Sequence, residues 1–229
     1  TCCEVPIART IDEAWQLVET SERTKKHCMM LENCCHDFFE LLTLNMTRQG
    51  MFGDIIHGEG AYIHNLLEMN FRKPVDSQQS DDAYTNMWRL RENATRNGNM
   101  YPTHGLGPVC QALSINRGDK MEHLSSVSTG DFSMGPKEKM LVATDPFYSE
   151  WKDSSFRGNL NTSIIKTALG KTIMVQHDTS STQPYSRIHL IKGTKGMVCK
   201  YPIEHIALGE EWADESKMKE LYEKYTPEI

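Results

Sequence analysis

The stretch GNMYPTHGLGP, Gly98–Pro108, places a phenol and an imidazole, Tyr101 and His104, three residues apart between glycines and prolines. Residues at i and i+3 share one side of a helix, so a helix beginning near Thr103 points both side chains into one cleft at its N-terminus. A histidine with an ordinary pKa of about 6.5 exchanges protons at neutral pH, and a nearby tyrosine holds a hydroxyl or helps it lose its proton. A capped helix with a satisfied histidine explains the same spacing, and the residues alone leave both readings open. Gly105 and Gly107 begin like a dinucleotide loop, but the third glycine is missing, no strand runs directly into them and no acidic residue follows at the required distance. The stretch is therefore not read as a nucleotide loop.

Upstream, TIDEAWQLVETSERTKK (Thr10–Lys26) opens with a capping box of Thr10 and Glu13 and puts Ala14, Leu17 and Val18 on one helical face. HCMMLEN (His27–Asn33) is a short apolar run ending in polar residues, which predicts a buried strand delivering Glu32 and Asn33 into a cleft. HDFFELLTLNMTRQG (His36–Gly50) has helical spacing and stops at a glycine in the C-cap position. GDIIHGEGAYIHNL (Gly53–Leu66) alternates like a strand, with Tyr62 and His64 on one face. EMNFRKPVDSQQSDDAY (Glu68–Tyr84) is polar and reads as an excursion or lid.

Downstream of the quoted stretch, the segment Phe132–Gly158 has no steady period and predicts a second long loop. NTSIIKTALGKTIMVQHDTS (Asn161–Ser180) predicts two strands about a Gly-Lys turn, and Ser186–Leu208 supplies two or three more. Asp214–Ile229 is a charged helix broken at Pro227. There is no internal repeat.

Composition excludes several classes. The 229 residues, 38% hydrophobic and 24% charged, suit one or two cored domains. A net charge of −6 without a basic run makes nucleic acid an unexpected partner. No apolar stretch reaches the roughly 18 residues of a membrane span, and TCCEVPIART is not a signal peptide. Seven cysteines form no disulfide framework, since the number is odd and two pairs are adjacent, Cys2–Cys3 and Cys34–Cys35. Neither pair has C-x-x-C spacing, so no metal site is expected.

Other candidates carry two readings each. Asp178 beside His177 is an acid/base pair or a strand end. Tyr185 is held by Pro184 and can line a site. Trp88 with Arg89 offers a flat apolar surface and a fork of donors that suit a sugar, or simply packs on the surface. The sequons at Asn45, Asn93 and Asn161 matter only in a glycosylating compartment.

Taken together, EVP (4–6), MMLENCC (29–35), LNMTRQGMFGD (44–54), GEGAYIHNL (58–66), MWR (87–89), NMYPTHGLGPV (99–109), INRGDKMEHL (115–124) and PYSR (184–187) resemble the Gfo/Idh/MocA oxidoreductases. Within them the chain is similar to the branch called glycoside hydrolase family 109, NAD-dependent α-N-acetylgalactosaminidases. The resemblance implies an α+β fold: a mostly antiparallel open sheet with helices on one face, preceded by the last strand-helix-strand part of a Rossmann domain. It divides the chain into residues 1–35, a remnant of the NAD-binding domain, and 36–229, a substrate-binding and oligomerisation domain incomplete at its C-terminus. With the glycine-rich loop absent, the isolated residues are expected to turn over weakly or not at all.

The chemistry so implied uses NAD to oxidise a sugar hydroxyl at C3, which acidifies the C2 proton, followed by elimination at C1, addition of water and return of the hydride. Such enzymes are exceptions to the paired-carboxylate pattern. Carried over, Tyr101 and His104 are the catalytic or orienting pair, Arg89, Tyr101 and Tyr185 meet the substrate, and Glu4, Val5, Glu32, Asn33 and Tyr62 lie at the cofactor. Sugar dehydrogenases of the wider family commonly have lysine where this chain has Val5, which favours the glycosidase branch; His36 stands where related sequences often have tyrosine. A sugar dehydrogenase or epimerase, and a non-catalytic module, are the alternatives. The resemblance also implies a carbohydrate substrate and a homo-oligomer formed through the sheet face, with a periplasmic place suggested by exported relatives.

Overall fold

The computed structural model of the chain describes residues 1–74 and 87–228. Strands β1 (Cys2–Glu4) and β2 (Met29–Leu31) pair in parallel, Glu4 opposite Leu31, and are joined by helix α1 (Ile11–Thr24). Both arms of the Thr10–Glu13 capping box are made. β2 is not the buried strand the sequence predicts: Met29 and Met30 are exposed, and no residue of α1 is buried. Two strands and one helix are too few to enclose a core.

A single 3₁₀ turn (Asn33–His36) leads into helix α2 (Phe38–Arg48), which closes at Gly50 with φ +73°, the left-handed cap expected there. Then come β3 (Ile55–Ile63), the short helix α3 (Leu67–Asn70), α4 (Trp88–Thr95), α5 (Thr103–Ala112), β4 (Met121–Ser128) and α6 (Met134–Thr144). The chain finishes with β5 (Leu160–Thr167), β6 (Thr172–Asp178), β7 (Leu190–Gly193), β8 (Gly196–Cys199), β9 (His205–Leu208) and helix α7 (Glu215–Tyr225). The seven strands β3–β9 form one sheet in the order β4-β5-β6-β3-β7-β8-β9. Every neighbouring pair is antiparallel except β3 with β6.

Alternation along the strands sorts the two faces. Ile173, Val175, Ile191, Val198 and Ile206 are buried on one face against Phe39, Leu42 and Met46 of α2, Val109 and Leu113 of α5, and Leu221 and Tyr225 of α7. On the other face Val127 is 74% and Ile164 44% exposed. The sheet is therefore open on one side and covered by helices on the other, the α+β arrangement the resemblance implies. A second, smaller cluster gathers Phe71, Met87, Leu90, Met134, Tyr148 and Trp151 around α4 and α6.

The segment 132–158 is not the loop the sequence predicts, for it holds α6 and a 3₁₀ stretch (Pro146–Trp151). Only Met134 and Glu138 of α6 are buried, so the helix has no apolar stripe for a periodicity to reveal, and Gly135-Pro136 near its start reads as a turn. β4 also escapes sequence reading, because this edge strand buries none of its eight side chains. Of the proposed excursion 68–84, residues 75–84 lie outside the described residues. Among the described residues no helix is long and apolar enough to cross a membrane.

Candidate active site

Three glycines decide where the site lies. Gly60 of β3 faces Gly105 of α5, and a Cβ on either would fall onto the other's backbone, while a Cβ on Gly58 would enter Val109. α5 therefore rests directly on β3, backbone to backbone, which brings its first turn over the end of the strand. A Cβ on Gly107 would sit 3.0 Å from Cys35 Sγ and 3.1 Å from Glu32 Cγ, so α5 also presses on the turn that follows β2. Residues from Glu32 to His104 meet at this corner.

His104 Nδ1 lies 2.7 Å from Glu32 Oε1, which also accepts the Cys34 N–H at 3.0 Å. Glu32 is buried. Burial works to raise its carboxyl pKa, but hydrogen bonds from His104 and the Cys34 N–H outweigh it, and the pKa falls below the usual 4.5. Glu32 is thus ionised at neutral pH and accepts the proton of His104 Nδ1, which leaves Nε2 of the ring for another partner. The His104 side chain is 15% exposed.

Tyr101 donates its hydroxyl to the Val5 carbonyl at 3.0 Å. Its pKa is pushed up to about 12, first by burial and next by the neighbouring Tyr62. The phenol is therefore protonated at neutral pH, with its proton donated to Val5. Tyr62 packs its ring 5.0 Å from Tyr101 and 5.2 Å from His104, and its hydroxyl is 3.3 Å from His64 Nδ1. Tyr185 stands edge-on to His64 at 5.2 Å, which joins it to the same cluster. Arg89 is buried with its guanidinium 5.3 Å above the Tyr101 ring and 4.8 Å from that of Trp88.

The structure brings Glu32, Tyr62, Arg89, Tyr101, His104 and Tyr185 to one place, with Val5 under the Tyr101 hydroxyl. Glu4 and Asn33 lie exposed beside them at the ends of β1 and β2. Asp178 is a strand end: its carboxylate accepts the Ser180 and Ser181 N–H groups, and buried His177 makes no hydrogen bond to it. Asn93 and Asn161 are buried, and the Asn45 amide donates to the Tyr225 carbonyl, so none of the sequons presents a free side chain.

Sequence reasoning missed the pairing of Glu32 with His104, which lie 72 positions apart. It also missed the brace behind Tyr185. Arg187 donates to Asp37 at 2.7 Å and to the Tyr201 hydroxyl at 3.1 Å, and Lys200 bridges Asp37 and Glu40 at 2.7 Å each. Burial alone would raise the Asp37 pKa, but these two cations hold it well below the usual carboxylate range. The brace ties the loop carrying Tyr185 to the start of α2. No local pattern announces it, since its partners come from segments some 150 residues apart.

Residues 38–228 match the family described as glycosyl hydrolase 109, C-terminal domain. The chain belongs to the glycosyl hydrolase 109 family. An alpha-N-acetylgalactosaminidase of Bacteroides fragilis is 44% identical over 225 residues, covering 97% of this chain and 51% of that relative. A glycosyl hydrolase family 109 protein of Shewanella pealeana is 45% identical over 227 residues, 97% of this chain and 47% of its own length. The chain thus spans about half the length of the curated family 109 relatives it matches. Among solved structures, an NAD binding oxidoreductase from Klebsiella pneumoniae superposes with a TM-score of 0.66 at 13% identity, over 92% of this chain and 50% of that one. An inositol dehydrogenase homolog from Azotobacter vinelandii, complexed with NADH and myo-inositol, gives 0.60 at 12%, over 93% and 48%. At these identities the likeness is one of fold, the Gfo/Idh/MocA architecture read from the sequence.

Proposed function

We propose that this chain is the sugar-binding portion of an NAD-dependent glycosidase that removes terminal α-N-acetylgalactosamine. The observation that carries this reading is the Glu32–His104 pair, a histidine bonded to a buried carboxylate and packed against the rings of Tyr62 and Tyr101, with Tyr101 and Arg89 lining the adjoining cavity. The chain's 44% identity to the Bacteroides fragilis alpha-N-acetylgalactosaminidase supports the choice of sugar. Flat aromatic walls with a few placed donors suit a hexose ring, whose faces are apolar and whose edge is hydroxylated.

The residues fit a dinucleotide. β1 and β2 are parallel, and Glu4, Val5, Glu32 and Asn33 stand at their carboxyl ends, the edge at which open α/β sheets bind such cofactors. On this reading residues 1–35 close the NAD-binding domain and 36–229 form the substrate domain. NAD, when bound, supplies a reversible hydride acceptor, so that a neighbouring sugar hydroxyl is oxidised and the adjacent C–H becomes acidic. His104 Nε2 takes the proton, with Glu32 stabilising the imidazolium through Nδ1–H. Tyr101, anchored on Val5, would orient the sugar beside the residues that would hold the dinucleotide, and Arg89 would supply cationic hydrogen-bond donors to ring substituents. Val5 carries no proton, so proton transfer falls to His104.

The open sheet face, with Val127 and Ile164 exposed, supports association with a second copy of the chain. The test of function is chromophore release from an aryl α-N-acetylgalactosaminide by the full-length protein with NAD. Activity that His104→Ala removes while the fold survives supports the reading. NAD reduction by free sugars without chromophore release would replace the glycosidase by a sugar dehydrogenase on the same fold.

A further inference from the structure

We propose that Glu32, Cys34 and His104 form a binding site for a thiophilic divalent cation such as Zn²⁺. A carboxylate oxygen, the Cys34 Sγ and a ring nitrogen of His104 lie within 4.8 Å of one another. On a tetrahedral zinc, bonds of about 2.0–2.3 Å set ligand atoms about 3.3–3.8 Å apart, so the widest separation in the set closes by about an ångström while the 2.7 Å contact of His104 Nδ1 with Glu32 Oε1 opens by about 0.6 Å. His104, on the first turn of α5, and the Glu32 carboxylate have rotatable side chains that supply this movement.

Two further observations point to a ligand. Glu32 Oε2 is buried and has no hydrogen-bond partner, while Oε1 accepts two. A buried carboxylate oxygen left without a partner is costly, and a cation removes that cost. A carboxylate, a thiolate and a neutral imidazole together carry two negative charges, which match a divalent ion, while the Arg187 cation beside Cys34 is paired with Asp37. Mixed oxygen, sulfur and nitrogen donors favour Zn²⁺ or Co²⁺ over Mg²⁺ and Ca²⁺, which prefer oxygen alone.

Binding follows a balanced exchange. Cys34 releases its thiol proton to solvent as the metal–sulfur bond forms. When His104 coordinates through Nδ1, its single ring proton moves to Nε2. The Glu32–His104 hydrogen bond and the metal are therefore mutually exclusive, and the metal-bound histidine has no free acceptor nitrogen. Loss of turnover on metal binding rests on the proposed function; the binding itself does not.

The experiment is Co²⁺ titration of the full-length protein in a Cys2→Ser/Cys3→Ser background, which removes the exposed adjacent thiols. The expected result is one equivalent of Co²⁺ with a thiolate-to-cobalt charge-transfer band, displaced by Zn²⁺. Cys34→Ser abolishes the band, and Glu32→Gln or His104→Ala weakens affinity about tenfold or more. No band at millimolar Co²⁺, or an undiminished band in Cys34→Ser, overturns the site. If circular dichroism shows Cys34→Ser unfolded, Glu32→Gln decides, and unchanged affinity there overturns the site equally. Zn²⁺ inhibition reversed by EDTA ties the site to catalysis. Stoichiometric binding without inhibition leaves the metal site standing and overturns the role given to His104.

Discussion

Gly105→Ala sets local preference against tertiary contact, and the two predict opposite signs. In a helix interior alanine is favoured over glycine by about 1 kcal/mol. At position 105, however, the new Cβ lies 2.6 Å from the Gly60 carbonyl carbon and 2.8 Å from Ala61 Cα, and still closer to the Ala61 nitrogen. Ordinary contact begins at 3.4 Å, so α5 must lift by at least 3.4 − 2.6 = 0.8 Å. The obstacle is strand backbone, not the tip of a flexible side chain. Overpacking costs about 1–3 kcal/mol, which against the helix gain leaves the variant less stable by up to about 2 kcal/mol and lowers Tm by up to about 8 °C at 2–4 °C per kcal/mol. His104 moves with its helix, and adding 0.8 Å to its 2.7 Å contact with Glu32 brings it to the limit of a hydrogen bond. A misplacement of about 1 Å costs about 100-fold in rate. Thermal unfolding by circular dichroism and aryl-glycoside turnover measure the two effects. A raised Tm with undiminished turnover would refute the backbone-to-backbone packing argument.

Glu32→Gln keeps the shape and removes the charge. Because the folded pKa of Glu32 is depressed below 4.5, wild type gains stability above that pH and loses it as pH falls through the folded pKa. The Tm advantage of wild type over the variant should therefore be present at pH 7 and shrink below about pH 4.5; an advantage independent of pH would count against the ionised pair. Turnover should fall about 100-fold or more, as the imidazolium loses its counter-charge. Tyr101→Phe removes one hydrogen bond, at about 1 kcal/mol, and should lower kcat about tenfold with the bell of the pH profile unmoved. A shifted profile would make Tyr101 the titrating group. Val127→Glu places a charge on the exposed sheet face and should yield a smaller species in sedimentation without change in secondary structure; an unaltered sedimentation coefficient would remove this face as the oligomer contact.

Much of the scaffold was legible because it is local. The Thr10–Glu13 box, the Gly50 cap and the strand alternation of residues 55–63 and 172–178 each need only a few neighbouring residues, and the structure holds all of them. α6 and β4 were not legible, since neither carries an apolar stripe and each is held by contacts beyond its own segment. For the site, the sequence named Tyr101, His104, Arg89, Tyr62, Tyr185 and Glu32 through spacing and family likeness.

By itself, then, the sequence determined the secondary-structure grammar, the family and the residue types available for proton transfer. Only tertiary structure brought those residues together. The close contact of Gly60 and Gly105 lays α5 on β3, which carries His104 to a carboxylate 72 positions away and fixes its tautomer. The same packing seats the Tyr101 hydroxyl on the Val5 carbonyl. A hydrogen bond depends on distances of a few tenths of an ångström, and such distances between remote segments are set by how the layers pack.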